Sequence, residues 1–112
     1  MQIIPLDNSS SVSLDFALFE SKKDLTCGVM QISHGMAEHL GRYEHFINHL
    51  NDEGFHVIIH NHRGHGDRLI DGKIGFFASE DGWSYLVDDL ISIHEWAVKQ
   101  YPELPHILLG HS

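Results

Sequence analysis

Apolar and polar residues alternate over residues 11–20, where Val12, Leu14, Phe16 and Leu18 share one face and Ser11, Ser13 and Asp15 take the other. A period of two predicts a half-buried strand. A polar turn follows over residues 21–24. Residues 25–33 then form a nearly continuous apolar run, with Val29, Met30 and Ile32 at its centre, halted by His34 and Gly35. Such a run predicts a strand covered on both faces, as in a parallel sheet. Tyr43, Phe46, Ile47 and Leu50 recur at helical spacing and predict a helix over 42–53, with Gly54 as its C-terminal cap. Residues 55–59, Phe-His-Val-Ile-Ile, read as a short strand. A glycine-punctuated stretch through Asn61, Gly64, Gly66, Gly72 and Gly75 reads as loop. Asp81 is placed to cap a long helix over 83–101, with an apolar stripe of Leu86, Val87, Leu90, Ile93, Ala97 and Val98. Pro102 and Pro105 stop it, and a last strand leads to Ser112.

The predicted order is strand, strand, helix, strand, helix, strand. Strands that alternate with helices imply crossover connections and a parallel sheet, with a site beyond the C-terminal ends of its strands. Residues 1–10 are assigned no element. No repeat or low-complexity tract divides the 112 residues, so the chain is at most one domain.

Composition narrows the function classes. Seven basic against sixteen acidic side chains give a net charge of −9 with histidines neutral. That balance argues against a nucleic-acid partner and against docking on anionic lipid through a basic face. Cys27 is the single cysteine, which rules out an internal disulfide and fits a reducing compartment. The first ten residues lack the basic and apolar regions of a signal peptide, and no apolar run approaches the roughly 20 residues of a membrane span. A cytoplasmic protein is the expectation.

Two places carry candidate chemistry. Gly110-His111-Ser112 ends an apolar run and forms the first half of Gly-x-Ser-x-Gly, the sharp strand-to-helix turn that lifts a serine oxygen above a sheet. Gly110 is expected there because a Cβ would collide with the crossing backbone. His34-Gly35-Met36-Ala37-Glu38-His39 follows a predicted strand and opens toward a helix. It reads either as an ordinary turn or as an oxyanion loop, in which a backbone N–H meets the negative charge that acyl transfer builds on a carbonyl oxygen. One such donor is worth about 10²- to 10³-fold in rate.

These two motifs, with Gly41-Arg42-Tyr43, Arg63-Gly64-His65-Gly66, Val87-Asp88-Asp89 and Leu108-Leu109-Gly110-His111-Ser112, resemble the α/β-hydrolase superfamily, in particular its monoglyceride lipase and lysophospholipase-like serine hydrolases. The resemblance covers nearly the whole chain. It implies an α/β fold in which residues 1–112 are the N-terminal portion of one hydrolase domain. The sheet would be mostly parallel and flanked by helices, and would end at the nucleophile elbow. Further strands and a lid would follow.

By the same resemblance Ser112 is the nucleophile and the N–H of Met36 one oxyanion donor, with the residue after Ser112 supplying the other. His34 and Gly35 shape the oxyanion loop, Glu38 and Arg42 support it as a pair, and the loop at Arg63 is structural. The catalytic acid and histidine follow the serine in this family, so the 112 residues alone are expected to be inactive, with one sheet edge uncovered and prone to aggregate. The implied substrate is a small lipid-like ester such as a monoacylglycerol or lysophospholipid. No cofactor is called for, and transient contact with a lipid surface is compatible with such a substrate. Asn61, where the family usually has Asp, and Arg68, where Ser is common, depart from the pattern and bear on the subfamily only.

Other readings stand beside this one. A non-catalytic hydrolase-like scaffold would keep the elbow without a usable triad. His60, His62 and His65 have the His-x-His-x-x-His spacing of zinc-dependent hydrolases, but Gly64 stands where an Asp is expected and Arg63 would repel a cation. His45 and His49 lie four apart on a predicted helix and are read as a solvated face with Glu44 and Glu53. Asp88 and Asp89 diverge by about 100° on a helix and cannot share one proton. Trp83, Tyr85 and Trp96 are read as packing residues.

Overall fold

A computed structural model describes residues 1–6, 14–33, 43–60 and 82–110, with 82–86 as backbone only. In chain order the elements are β1 (Gln2–Leu6), β2 (Leu14–Phe19), β3 (Gly28–Ser33), α1 (Glu44–Asp52), β4 (Phe55–Ile59), α2 (Gly82–Gln100) and β5 (His106–Gly110). The five strands form one sheet in the order β1-β2-β4-β3-β5. β3 pairs in parallel with both β4 and β5, whereas β2 runs antiparallel to β1 and to β4. β2 is therefore the only reversed strand of the five, and the sheet is mostly parallel in direction.

Alternating residues face opposite sides of each strand, and each side has its own core. Leu14, Phe16, Leu18, Val29 and Ile58 pack with Ile93 and Ala97 of α2, and the Trp96 ring meets Phe16 edge-on at 4.8 Å. Ala17, Ile32, Val57 and Ile59 pack on the other side with Ile47 and Leu50 of α1. The sheet lies between two helices, and its interior strands are covered on both faces except at Asp15 of β2, which is exposed.

The predicted elements are found with local corrections. β2 buries Leu14, Phe16 and Leu18 on one face and exposes Asp15 on the other, as expected, but Ala17 on that second face is covered on the α1 side; Val12 lies outside the described residues. β3 starts at Gly28, and Leu25, counted within the predicted strand, is 83% exposed. On α1 the buried stripe is Ile47, Leu50 and Asn51, while Phe46 points to solvent. On α2, Val98 is exposed, Asp88 is exposed and Asp89 is buried, so the adjacent carboxylates do diverge. His45 and His49 lie on the exposed face of α1, as expected. Asp81 and the side chains of Trp83, Tyr85 and Leu86 lie outside what is described.

β1 was not anticipated. Pro5 within it disguises a strand, yet proline is tolerated at a sheet edge, where one row of donors has no partner to serve. Gly54 ends α1 as predicted: its φ of 100° is left-handed, and its N–H returns to the Asn51 carbonyl at 3.3 Å. No helix among the described residues is long and apolar enough to cross a membrane.

Asn51, 4% exposed, joins three elements at this corner: its amide Nδ2–H donates to the Phe19 carbonyl at 3.0 Å and to the Phe55 carbonyl at 2.9 Å. Asn51→Ala leaves both interior carbonyls short of a donor and is expected to cost about 1–3 kcal/mol of stability in urea unfolding. An unchanged midpoint would contradict the role given to this side chain.

Candidate functional site

The site is set by where β3, β4 and β5 end. The three are parallel and in register: Ile32 lies opposite both Ile59 and Leu109, and Ser33 opposite Gly110. The chain thus leaves β3 and β5 from neighbouring positions at one end of the sheet. The connection from β3 leads to α1 on one face, whereas that from β4 leads to α2 on the other. In open α/β sheets, diverging connections of this kind mark the strand end at which ligands bind.

Of the residues singled out from the sequence, Gly110 is described: it is exposed and closes β5. Ser112, Met36, His34, Gly35, Glu38 and Arg42 lie outside the described residues, as do His111, Asn61, Arg68 and the stretch from Arg63 to Gly66. Of the three histidines of the metal reading, His60 is described, follows β4 and is 1% exposed, and His62 and His65 lie outside. Among the described residues a Cβ on Gly110 would meet no atom within 4 Å, so the collision expected there is not supplied by them. A glycine under real pressure beside this strand is Gly28, where a Cβ would come within 3.0 Å of the Pro105 carbonyl oxygen. That oxygen accepts the Val29 N–H at 2.9 Å, so Gly28 permits β3 and the approach to β5 to close together.

Sequence reasoning overlooked Gln31. It interrupts the apolar run of β3, is 5% exposed, and donates its Nε2–H to the Leu90 carbonyl of α2 at 3.1 Å. A lone amide in a dry strand was the available signal, since a buried polar group demands a partner. The bond fixes α2 against β3.

Beside Gln31 a cavity of about 260 Å³ opens between α2 and β5, with Leu90, Ile91, His94, Ile107 and Leu108 on its walls. β5 has β3 on one side and, among the described residues, no strand on the other. Ile91 is 49%, Ile107 43% and Leu108 62% exposed, so this flank is apolar and open.

Comparison with known proteins agrees with this geometry. Residues 25–112 match the family described as serine aminopeptidase, S33. The chain is 38% identical over 85 residues to a monoacylglycerol lipase of Mycolicibacterium smegmatis, covering 76% of this chain and 29% of that protein. It is 35% identical over 85 residues to the monoglyceride lipase of Rattus norvegicus, covering 72% and 25%. The structure superposes on a thermostable carboxyl esterase from Bacillus coagulans, solved with glycerol, with a TM-score of 0.81 at 27% identity, over 99% of this chain and 36% of that one. The chain spans between a quarter and three tenths of the length of these two lipases.

Leu108→Lys probes the open flank. In the 112-residue chain it is expected to leave stability within about 0.5 kcal/mol, as an exposed position should, and to lower the binding of an apolar fluorescent dye. A loss above about 1.5 kcal/mol would show that Leu108 is covered.

Proposed function

The chain belongs to the serine aminopeptidase S33 family and forms the N-terminal part of an α/β-hydrolase fold, and from that premise we propose that the complete protein is a serine hydrolase of lipid-like carboxylic esters. The observation that carries the proposal is the in-register pairing of Ser33 with Gly110. It starts the segments that bear Met36 and Ser112 side by side, three and two residues past the ends of β3 and β5.

In this proposal Ser112 Oγ attacks the ester carbonyl and passes its proton to a histidine that follows Ser112 in the complete polypeptide. The charge that collects on the carbonyl oxygen is held by the N–H of Met36 and by that of the residue after Ser112. The histidine returns the proton to the departing alcohol, leaving an acyl ester on Ser112, and water then releases the acid by the same route. His34 and Gly35 set the course of the oxyanion loop, and Glu38 with Arg42 braces it. Because a serine without such a base attacks poorly at its own pKa, residues 1–112 by themselves are expected not to turn substrate over.

The relatives named above favour an ester of the monoacylglycerol kind over an amide, and a lysophospholipid has the same ester chemistry. A small amphiphilic substrate of this sort brings the enzyme into transient contact with lipid surfaces. A single cysteine favours a reducing compartment, and a cytoplasmic enzyme is part of this proposal.

The test is a fluorophosphonate probe on the complete protein. Labelling at Ser112 is expected, with Ser112→Ala abolishing it and lowering ester hydrolysis about 10³-fold or more. A folded protein that takes no label would favour the scaffold. Stoichiometric zinc, with hydrolysis unaffected by Ser112→Ala, would favour the metal reading at His60.

A further inference from the structure

At the opposite end of the sheet, where β4 begins, His56 is 8% exposed. Its Nδ1 accepts the N–H of Ser21 at 2.9 Å, and its ring stacks on Tyr101 with centroids 4.6 Å apart and planes 27° apart. An accepting Nδ1 carries no proton, so the ring is the neutral Nε2–H form. Ser21 stands where β2 turns back toward β3. The same turn is tied to the end of α1: the Lys22 N–H donates to the Asn51 carbonyl at 3.1 Å, and the Ser21 hydroxyl lies 3.5 Å from that oxygen. The Lys22 ammonium reaches Asp52 at 3.3 Å, but both side chains are more than half exposed, and such pairs contribute little.

We propose that His56 is a proton-operated latch: its neutral ring holds the turn after β2 against β4 and α1, and the protonated ring releases that turn. A proton on Nδ1 sets one N–H against another, so the bond to Ser21 is lost rather than weakened. Within the turn, what remains is the pair of bonds to one Asn51 carbonyl and an exposed ion pair, while the Asn51 amide on the Phe19 carbonyl and the Cys27 N–H on the Gly54 carbonyl at 2.8 Å pin its two ends.

The groups facing the ring agree with this. Burial holds the His56 pKa below its usual value, and Glu20, at the end of β2, opposes that shift. Tyr101, following α2, has its hydroxyl pushed upward by burial and by Glu20, so it stays neutral throughout the range in question. From β3, the residue in register with His56 is Val29, which carries no charge. His106, at the start of β5, is turned to the Tyr101 carbonyl, to which its Nε2–H donates at 2.9 Å. Asp52 of α1 is turned outward to Lys22.

The direction follows from linkage. With the folded pKa below the open one, the open turn binds the proton more readily, so the latch is fully effective above about pH 6.5 and weakens as pH falls below it. It lies at the end of the sheet away from Ser33 and Gly110, so its titration is separate from that of any catalytic histidine.

Amide exchange by NMR on the complete protein tests the latch. After correction for intrinsic exchange, protection of the Ser21 amide is expected to fall with pH below about 6.5, by at most about tenfold per unit, with the Ile58 amide in β4 unchanged. His56→Asn, which keeps an acceptor near Nδ1 but cannot titrate, is expected to flatten the profile. A long-range ¹⁵N spectrum of the wild-type imidazole serves if that variant does not fold, and should show an unprotonated Nδ1 at pH 7.5 that becomes protonated on acidification. Constant Ser21 protection, an equal fall at Ile58, an unaltered profile in His56→Asn, or an Nδ1 already protonated at pH 7.5 would each overturn the proposal.

Discussion

The parallel pairing of β3 with β5 is the constraint on which the rest depends. β3 is the central strand in the sense that matters for chemistry: β4 lies on one side, β5 on the other, and all three point the same way. Register here is more than a packing detail. A slip of one residue would reverse which side chains face α1 and which face α2. It would also part Ser33 from Gly110, the positions from which the two candidate segments set out. Gly28 protects that register by letting the Pro105 carbonyl come close, and the Val29 N–H fixes the approach.

Polar groups hold the layers to this sheet at a few interior points. Gln31 reaches the Leu90 carbonyl and so ties α2 to β3. Asn51 reaches the Phe19 and Phe55 carbonyls and so ties α1 to β2 and β4. Each is almost fully buried, which makes these bonds costly to lose and gives the apolar layers a unique position to settle into. The apolar cores supply the drive, and the amides choose the alignment. At the β5 flank the described residues provide no such completion, and Ile91, Ile107 and Leu108 are exposed among them.

Much of this was legible in the residues. The even spacing of Leu14, Phe16 and Leu18, the helical spacing of Ile47 and Leu50, and the glycine at 54 each record a local rule, and local rules read directly from sequence. Tertiary context accounts for the misses. Pro5 argues against a strand until β1 is known to be an edge. Ala17 looks like a neutral residue on a wet face until α1 is known to cover it. Gln31 and Asn51 look like ordinary polar residues until their partners, 59 and 32 residues away, arrive. The candidate site was legible as motif, through Gly110-His111-Ser112 and His34-Gly35. The structure adds that the strands leading to those motifs are neighbours.

The central claim is that one ester carbonyl can touch both Ser112 and the N–H of Met36. The most direct measurement is a crystal structure of the complete protein carrying a phosphonate on Ser112. The phosphoryl oxygen is predicted to lie about 2.7–3.1 Å from the Met36 nitrogen. A phosphonate held on Ser112 with its oxygen turned away from Met36, or bound to another residue altogether, would contradict it.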